Sequence, residues 1–206
     1  AAQTTEPQQL DPVVITAERT RQASFDAPAA ITAVTRDVID NGGFQVNLSE
    51  VLNRVPGISV LNRQNYAQDL QLSIRGFGAR STFGIRGVRL IVDGIPASMP
   101  DGQGQASNIA LSSVGRIEVL RGPLAQLYGN AAGGVIVVET EDPPAVPTVG
   151  GDFFAGRYGT WRAGVRLGGY NTLFDASRFE TDGYREHSAA QRDHFNLKFA
   201  YPLGRG

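Results

Sequence analysis

The chain contains no cysteine, which removes a disulfide scaffold, a thiolate metal centre and a cysteine nucleophile at once. Lysine is almost as scarce: the 19 basic residues are 18 arginines and Lys198, set against 20 acidic residues. The resulting net charge of −1 gives no general attraction to nucleic acid or to an anionic membrane surface. Only two histidines occur, His187 and His194, and they flank a loop rather than share a face, so no metal pair is predicted. No serine, histidine and aspartate fall into a triad pattern, and the residues predict no enzyme. Nucleotide loops are missing too. Gly76-Phe77-Gly78 lacks the third glycine of a dinucleotide loop, and Gly129–Gly134 lacks the Lys-Ser/Thr of a phosphate loop. The longest aliphatic run, Val135–Val138, is far short of the ~20 residues a membrane helix needs. No charged segment followed by an apolar one opens the chain, so any signal peptide reads as already removed.

Glycine is what the chain has in excess: 25 residues, about 12% against an ordinary ~7%. Many positions therefore call for tight or left-handed backbone. Residues 1–27 read as a flexible terminus, polar over Ala1–Leu10 and Glu18–Gln22, and between these stands the run Pro12-Val13-Val14-Ile15-Thr16-Ala17, which has no obvious partner in the terminus. Such a strand is either an edge of this protein's own sheet or a strand given to another protein. Residues 28–142 read as a compact α+β domain with a small mixed sheet. Strands are predicted at 31–34, 58–61, 70–74, 88–92, 116–120 and 135–140. Thr35 is a candidate N-cap for a helix ending at Gly42-Gly43. Asn47, with Glu50 three residues on, predicts a second helix through Arg54, stopped by Pro56. Pro123 suits the first position of a third.

Pro143, Pro144 and Pro147 mark a change of pattern. From residue 148 onward the chain alternates. Trp161, Ala163, Val165 and Leu167 interleave with Arg162, Gly164, Arg166 and Gly168. Phe195, Leu197, Phe199 and Tyr201 interleave with His194, Asn196, Lys198 and Ala200. Weaker strands are predicted at 149–156 and 172–181, with a tight turn at 168–171 and a long polar loop over 182–192. About four antiparallel strands follow, and alternation by itself fits a transmembrane meander or a soluble sheet equally well.

Three segments are too particular to be generic: Ile74-Arg75-Gly76-Phe77, then Val92-Asp93-Gly94-Ile95-Pro96, then Arg116–Pro123 leading into Leu127–Ile136. In this order, behind Val13–Ala17, they resemble the plug domain of TonB-dependent outer-membrane receptors. The stretches Arg63–Leu70, Arg75–Gly84 and Asp93–Gln105 are similar to those of pyrroloquinoline quinone receptors in that family. The Asp-Gly-Gln-Gly-Gln element at 101–105 also resembles ferric-citrate receptors.

The resemblance implies a plug followed by the opening strands of a transmembrane β-barrel. Barrels of this type close with about 22 strands, so this chain supplies only their beginning and cannot form a closed pore by itself. It implies ligand-gated active transport with no bond broken and no cofactor. Pro12, Val13, Val14, Ile15, Thr16 and Ala17 become a TonB box, donated as a strand to TonB, which works with ExbB and ExbD. Substrate contacts are expected from outward plug loops: Arg63, Tyr66, Arg80, Phe83, Met99 and Gln103. Arginine offers a forked donor to carboxylates and the aromatic rings offer faces. Pyrroloquinoline quinone or a similar anionic small molecule fits that mixture, as does a ferric siderophore or ferric citrate. Arg75 and Arg121 are costly charges to bury unpaired. The family implies a lock between them and barrel-wall glutamates beyond residue 206, with Glu118 as the alternative partner inside the plug. Expected partners are completed by outer-membrane lipid, with a monomer and no nucleic acid. Two rivals remain: a soluble periplasmic binding module, and a signalling transducer, which needs a folded domain ahead of the box.

Overall fold

The structure, a computed structural model, describes residues 14–15, 22–23, 30–62, 66, 70–81, 84–99, 101–122, 125, 128–129 and 131–201. Their elements are, in chain order, strands β1 (Val14–Ile15), β2 (Gln22–Ala23) and β3 (Ala30–Thr35), then helices α1 (Arg36–Asp40) and α2 (Ser49–Leu52). Strands β4 (Ile58–Leu61), β5 (Gln71–Ile74), β6 (Val88–Val92) and β7 (Ile95–Pro96) follow. A 3-10 turn at Leu111–Ser113 leads into β8 (Val114–Arg121) and β9 (Gly134–Thr140). The last four strands are β10 (Thr148–Ala155), β11 (Trp161–Gly169), β12 (Thr172–Thr181) and β13 (Ala190–Phe199).

The first large sheet has the order β3-β8-β9-β6-β7 and is mixed, with β6 and β9 parallel and the other pairs antiparallel. Its centre explains the aliphatic run noted above. Ile136 and Val138 pack on one face with Leu90, Ile117, Leu72 and Leu52, whereas Val135 and Val137 pack on the other with Ile91 and Leu120. A strand covered on both faces needs apolar residues at every position rather than at alternate ones. Each such side chain contributes up to about 1.5–3 kcal/mol from burial. The corner into β9 requires its two glycines. A Cβ on Gly133 would lie 2.6 Å from the Phe77 Cβ, and one on Gly134, at φ +137°, would lie 2.7 Å from the Leu120 carbonyl oxygen.

The helices are shorter than expected. α2 stops at Leu52, and Asn47 does not cap it. The Glu50 carboxylate instead reaches back to accept the backbone N–H of Gln45 (2.7 Å), Val46 (2.8 Å) and Asn47 (2.8 Å). That is the reciprocal half of a capping box operating without the other half, and it fixes the Phe44–Asn47 loop. β8 begins two residues earlier than predicted, across a bulge between Val114 and Arg116. Pro123, the predicted start of a third helix, lies outside the described residues.

Strands β10–β13 form a second, wholly antiparallel sheet in sequence order. The two-residue turn Tyr170-Asn171, with both residues at positive φ, closes one end. The longer links 156–160 and 182–189 close the other. The second link is three residues shorter than predicted, because β13 already pairs at Ala190 with Thr181. Alternation is clear, and its sense is decided here. Val149, Phe153, Val165, Leu167, Phe195, Leu197 and Phe199 point away from the rest of the protein and are exposed. Arg162 and Asp175 point toward the first sheet and are buried. Leu173 and Phe179 also point inward, and Arg178, Glu180 and Asp193 lie outward near the long links, but an outer face carrying this apolar set over buried charges is the reverse of a soluble sheet and fits a wall that faces lipid.

Candidate functional site

The first sheet docks against the inner face of the second, and the docking is polar at one end and aromatic at the other. At the long-loop end, the Phe44 ring meets Phe154 and Phe179 at 6.2 and 6.3 Å between centroids, and Tyr66 meets Phe179 at 4.8 Å. Arg192 of β13 donates to the carbonyl oxygens of Val46 (3.3 Å) and Tyr66 (2.6 Å) and to Asn47 Oδ1 (3.2 Å). The loop held by Glu50 is thereby gripped from the wall side. Burial, together with the nearby Glu50 charge, raises the Tyr66 phenol above its ordinary value, and Arg192 opposes that shift only in part.

At the short-turn end the contacts are charged. Ser112 donates its hydroxyl to the buried Asp175 at 2.5 Å. Arg166 pairs with Glu141 at 2.5 Å and lies 3.6 Å from Asp175, and its other nitrogen donates to the Ser112 carbonyl. Arg36 donates to the carbonyl oxygens of Ser112 and Val114, both at 2.8 Å, and pairs with Asp40 at 2.7 Å. Lys198 donates to the Thr140 carbonyl at 3.0 Å and pairs with Asp142 at 2.9 Å. At the aromatic end, in register with Phe154 and Phe179, Arg162 is fully buried, ion-pairs with Asp152 and lies over the Phe154 ring. A Cβ on Gly164 would intrude 2.7 Å from Asp152 Oδ1 and 3.1 Å from Arg162 Nη2, so glycine there makes the slot for that ion pair.

Two of the predicted substrate loops come together. Ile85 and Gly104 exchange backbone hydrogen bonds at 2.8 Å each way, Ser98 also bridges to Gly104, and Arg86 donates to Gln103 Oε1 at 3.4 Å. Arg80 and Met99 are both exposed on this loop pair, and Gln103 is half-buried within it. The Met99–Gln103 turn is closed by Met99 N–H to the Gln103 carbonyl at 2.7 Å. Tyr66, a plug residue, is instead packed against Phe179 of the wall. Arg63 and Phe83 lie outside the described residues.

Arg75 and Arg121 lie beside one another across Gly57, at whose Cβ position Arg75 Cγ is 3.5 Å and Arg121 Nη1 3.8 Å away. Arg121 donates to the Pro56 carbonyl and to Thr32 Oγ1, both at 2.5 Å. Burial, and then the Arg75 charge beside it, lowers its pKa. Among the described residues no carboxylate lies within ion-pair reach of either. Glu118, the alternative partner, pairs with Arg116 at 2.9 Å instead.

Of the predicted box, Pro12, Val13, Thr16 and Ala17 lie outside the described residues. Val14 and Ile15 pair antiparallel with Ala23 and Gln22. The terminus thus supplies a partner for this run after all, because polar residues pair through the backbone as readily as β-branched ones. Sequence reasoning missed Phe44, Arg36, Glu141, Asp175 and Arg192. Their one signal was position, on the polar half of an alternating strand or in a loop beside a cap.

This arrangement, a small mixed sheet plugged against the polar inner face of an apolar-backed meander, defines the class of a plug seated in the opening strands of a barrel. The chain belongs to the TonB-dependent receptor plug domain family, whose model matches residues 23–135. It is 32% identical over 133 residues to a hemin receptor of Yersinia enterocolitica, covering 64% of this chain and 18% of that receptor. Among solved structures it resembles the ferric yersiniabactin uptake receptor of Yersinia pestis, with a TM-score of 0.55 and 25% identity over 74% of this chain and 24% of the other. It also resembles in fold the alcaligin outer membrane receptor of Bordetella pertussis, with a TM-score of 0.69 and 16% identity over 88% of this chain and 31% of that one. The chain therefore spans under a third of the length of these relatives.

Proposed function

We propose that this chain is the plug and first wall strands of an outer-membrane receptor that takes up an iron chelate of the siderophore or heme type. The carrying observation is the inverted wall. Arg162, Arg166, Asp175 and Arg192 meet the plug, aromatic rings meet it at the long-loop end, and Val149, Phe153, Val165, Leu167, Phe195, Leu197 and Phe199 face outward, which supports a plug that stands inside a barrel in lipid rather than in solution. The likeness to a hemin receptor supports the cargo class. Short turns lie on the periplasmic side in such barrels. The Tyr170-Asn171 turn then marks the periplasmic rim, and the Arg80, Met99 and Gln103 loops face the opposite way, toward incoming cargo. The run Pro12–Ala17 is the segment offered to TonB, powered with ExbB and ExbD, and Arg75 with Arg121 form the plug's half of a lock on the wall.

Pyrroloquinoline quinone remains a second candidate cargo, resting on the likeness of residues 63–105 to its receptors. Calorimetric titration of the full-length receptor with hemin, ferric citrate and pyrroloquinoline quinone separates these readings. Binding of an iron chelate, weakened about tenfold by Arg80→Ala, is expected. Binding of the quinone alone replaces the iron reading with the second candidate. Failure of all three overturns both cargoes.

A further inference from the structure

Four wall residues share one inward row: Phe154, Arg162, Phe179 and Arg192 are successive cross-strand partners on β10, β11, β12 and β13. Ring and guanidinium thus alternate along the face that receives the plug. Two plug segments, separate in the chain, land on this row. Phe44 places its ring on Phe154 and Phe179, and Tyr66 places its ring on Phe179. Arg192 serves both backbones at once. Its Nη1 donates to the Val46 carbonyl at 3.3 Å and to Asn47 Oδ1 at 3.2 Å, and its Nη2 donates to the Tyr66 carbonyl at 2.6 Å.

The two landings differ in how far the plug itself secures them. Glu50 accepts the N–H groups of Gln45, Val46 and Asn47, and residues 45–49 are buried. The 44–47 loop is therefore fixed from within the plug and turns its oxygens to the wall. Tyr66 is only half-buried, and its ring and its carbonyl both rest on wall residues. A planar guanidinium fork bonds both segments in a single orientation, which the rotating donors of a lysine would not fix. Arg192 thus takes the firm loop as its footing and holds the weaker segment with its other nitrogen.

We infer that Arg192 is a positioning residue for cargo recognition: braced on the 44–47 loop, it sets the backbone at Tyr66 before cargo arrives. The inference rests on the receptor reading given above, in which Tyr66 is a cargo-contacting residue. Arg192 itself touches no cargo in this role. It acts by preorganisation, because a segment already held in its binding shape loses less conformational freedom when cargo binds. Affinity then depends on a wall residue as well as on the plug loops.

The test uses the full-length receptor and begins without cargo. In hydrogen exchange, Arg192→Gln is expected to speed exchange about tenfold in the peptide that contains Tyr66, less in the 44–47 loop that keeps Glu50, and not in β8 and β9. Asn47→Ala is a milder change that removes part of the footing. It is expected to give about a threefold effect at the Tyr66 peptide, and nothing further when combined with Arg192→Gln. With hemin, Arg192→Gln is expected to raise both the dissociation constant and the half-saturating concentration for uptake about tenfold, with the maximal uptake rate within about twofold. Unchanged exchange around Tyr66, faster exchange spread evenly through β8 and β9, additive effects of the two substitutions, or a lowered maximal rate at unchanged affinity each overturns the positioning role. If the unaltered receptor binds no hemin, the heme reading falls while the cargo-free exchange still decides whether Arg192 holds Tyr66. The titration is then repeated with ferric citrate and pyrroloquinoline quinone, and an affinity for either that Arg192→Gln leaves unchanged overturns the inference.

Discussion

The hydroxyl of Ser112 in the plug donates to the carboxylate of Asp175 in the wall at 2.5 Å, joining segments 63 residues apart where neither side chain meets solvent. Arg166 stands on the same carboxylate and on Glu141, and Arg36 holds the Ser112 carbonyl from the other side. Asp175→Ala strips this cluster of its buried anion and leaves Arg166 half-paired. The expected cost is about 3 kcal/mol, read as a lowered midpoint in denaturant unfolding of the full-length receptor. Asp175→Asn keeps an acceptor for Ser112 and is expected to cost less. Equal effects of the two would show that the charge is immaterial.

Gly164→Ala tests the slot beside Arg162 and Asp152. The added methyl meets Asp152 Oδ1 at 2.7 Å, so the ion pair has to open or the strands part, at about 1–3 kcal/mol. Gly150→Ala, on the neighbouring strand with nothing within 4 Å of its Cβ position, is the matched control. A lower melting temperature for the first and an unchanged one for the second are expected.

Tyr66 gives a pH dependence whose sign is fixed. Burial and Glu50 raise its pKa above the ordinary 10.0, so the folded state holds the phenolic proton longer than the unfolded chain does. Its contribution is complete below about pH 10 and is lost as pH rises through the folded value. Between pH 9 and 11 the unaltered receptor is expected to lose more stability than Tyr66→Phe, which keeps the ring on Phe179. Parallel curves for the two would remove Tyr66 from the balance.

Ile15→Pro removes one backbone donor from a segment whose function, as proposed, is backbone pairing. Uptake of cargo by the full-length receptor is expected to disappear while binding at the cell surface stays unchanged. Loss of binding as well would assign residues 12–17 to the fold of the plug instead of to the coupling protein.

Much of this molecule is legible without coordinates. The strands at 31–34, 58–61, 88–92 and 135–140 follow from short β-branched runs between turn residues, and the meander from its period of two. The boundaries that were misread share a cause. β13 starts among Ala190, Gln191 and Arg192 because its partner strand continues there, and cross-strand pairing accepts polar residues when one face meets a polar plug. Helix α2 is short because Glu50 turns back to the preceding loop, a choice between two hydrogen-bond partners that spacing alone leaves open.

Family and element order are thus properties of the sequence, since motifs, turn residues and periodicity act over a few residues and need no distant partner. Which face of the alternating strands is inside is a property of the tertiary structure. Nothing local distinguishes Arg162, Asp175 and Arg192 pointing to water from the same residues pointing to a plug. Arg162 finds Asp152 on the neighbouring strand, but Asp175 meets the Ser112 hydroxyl, and Arg192 the Val46 and Tyr66 carbonyls, only when those residues arrive from more than 60 residues away. The lone Lys198 and the 18 arginines illustrate the division. Their number is written in the chain, but only the fold makes Arg162, Arg166 and Arg192 the internal fastenings of a wall. Burying a charge is favourable only where a partner is delivered to it, and delivery is a long-range event.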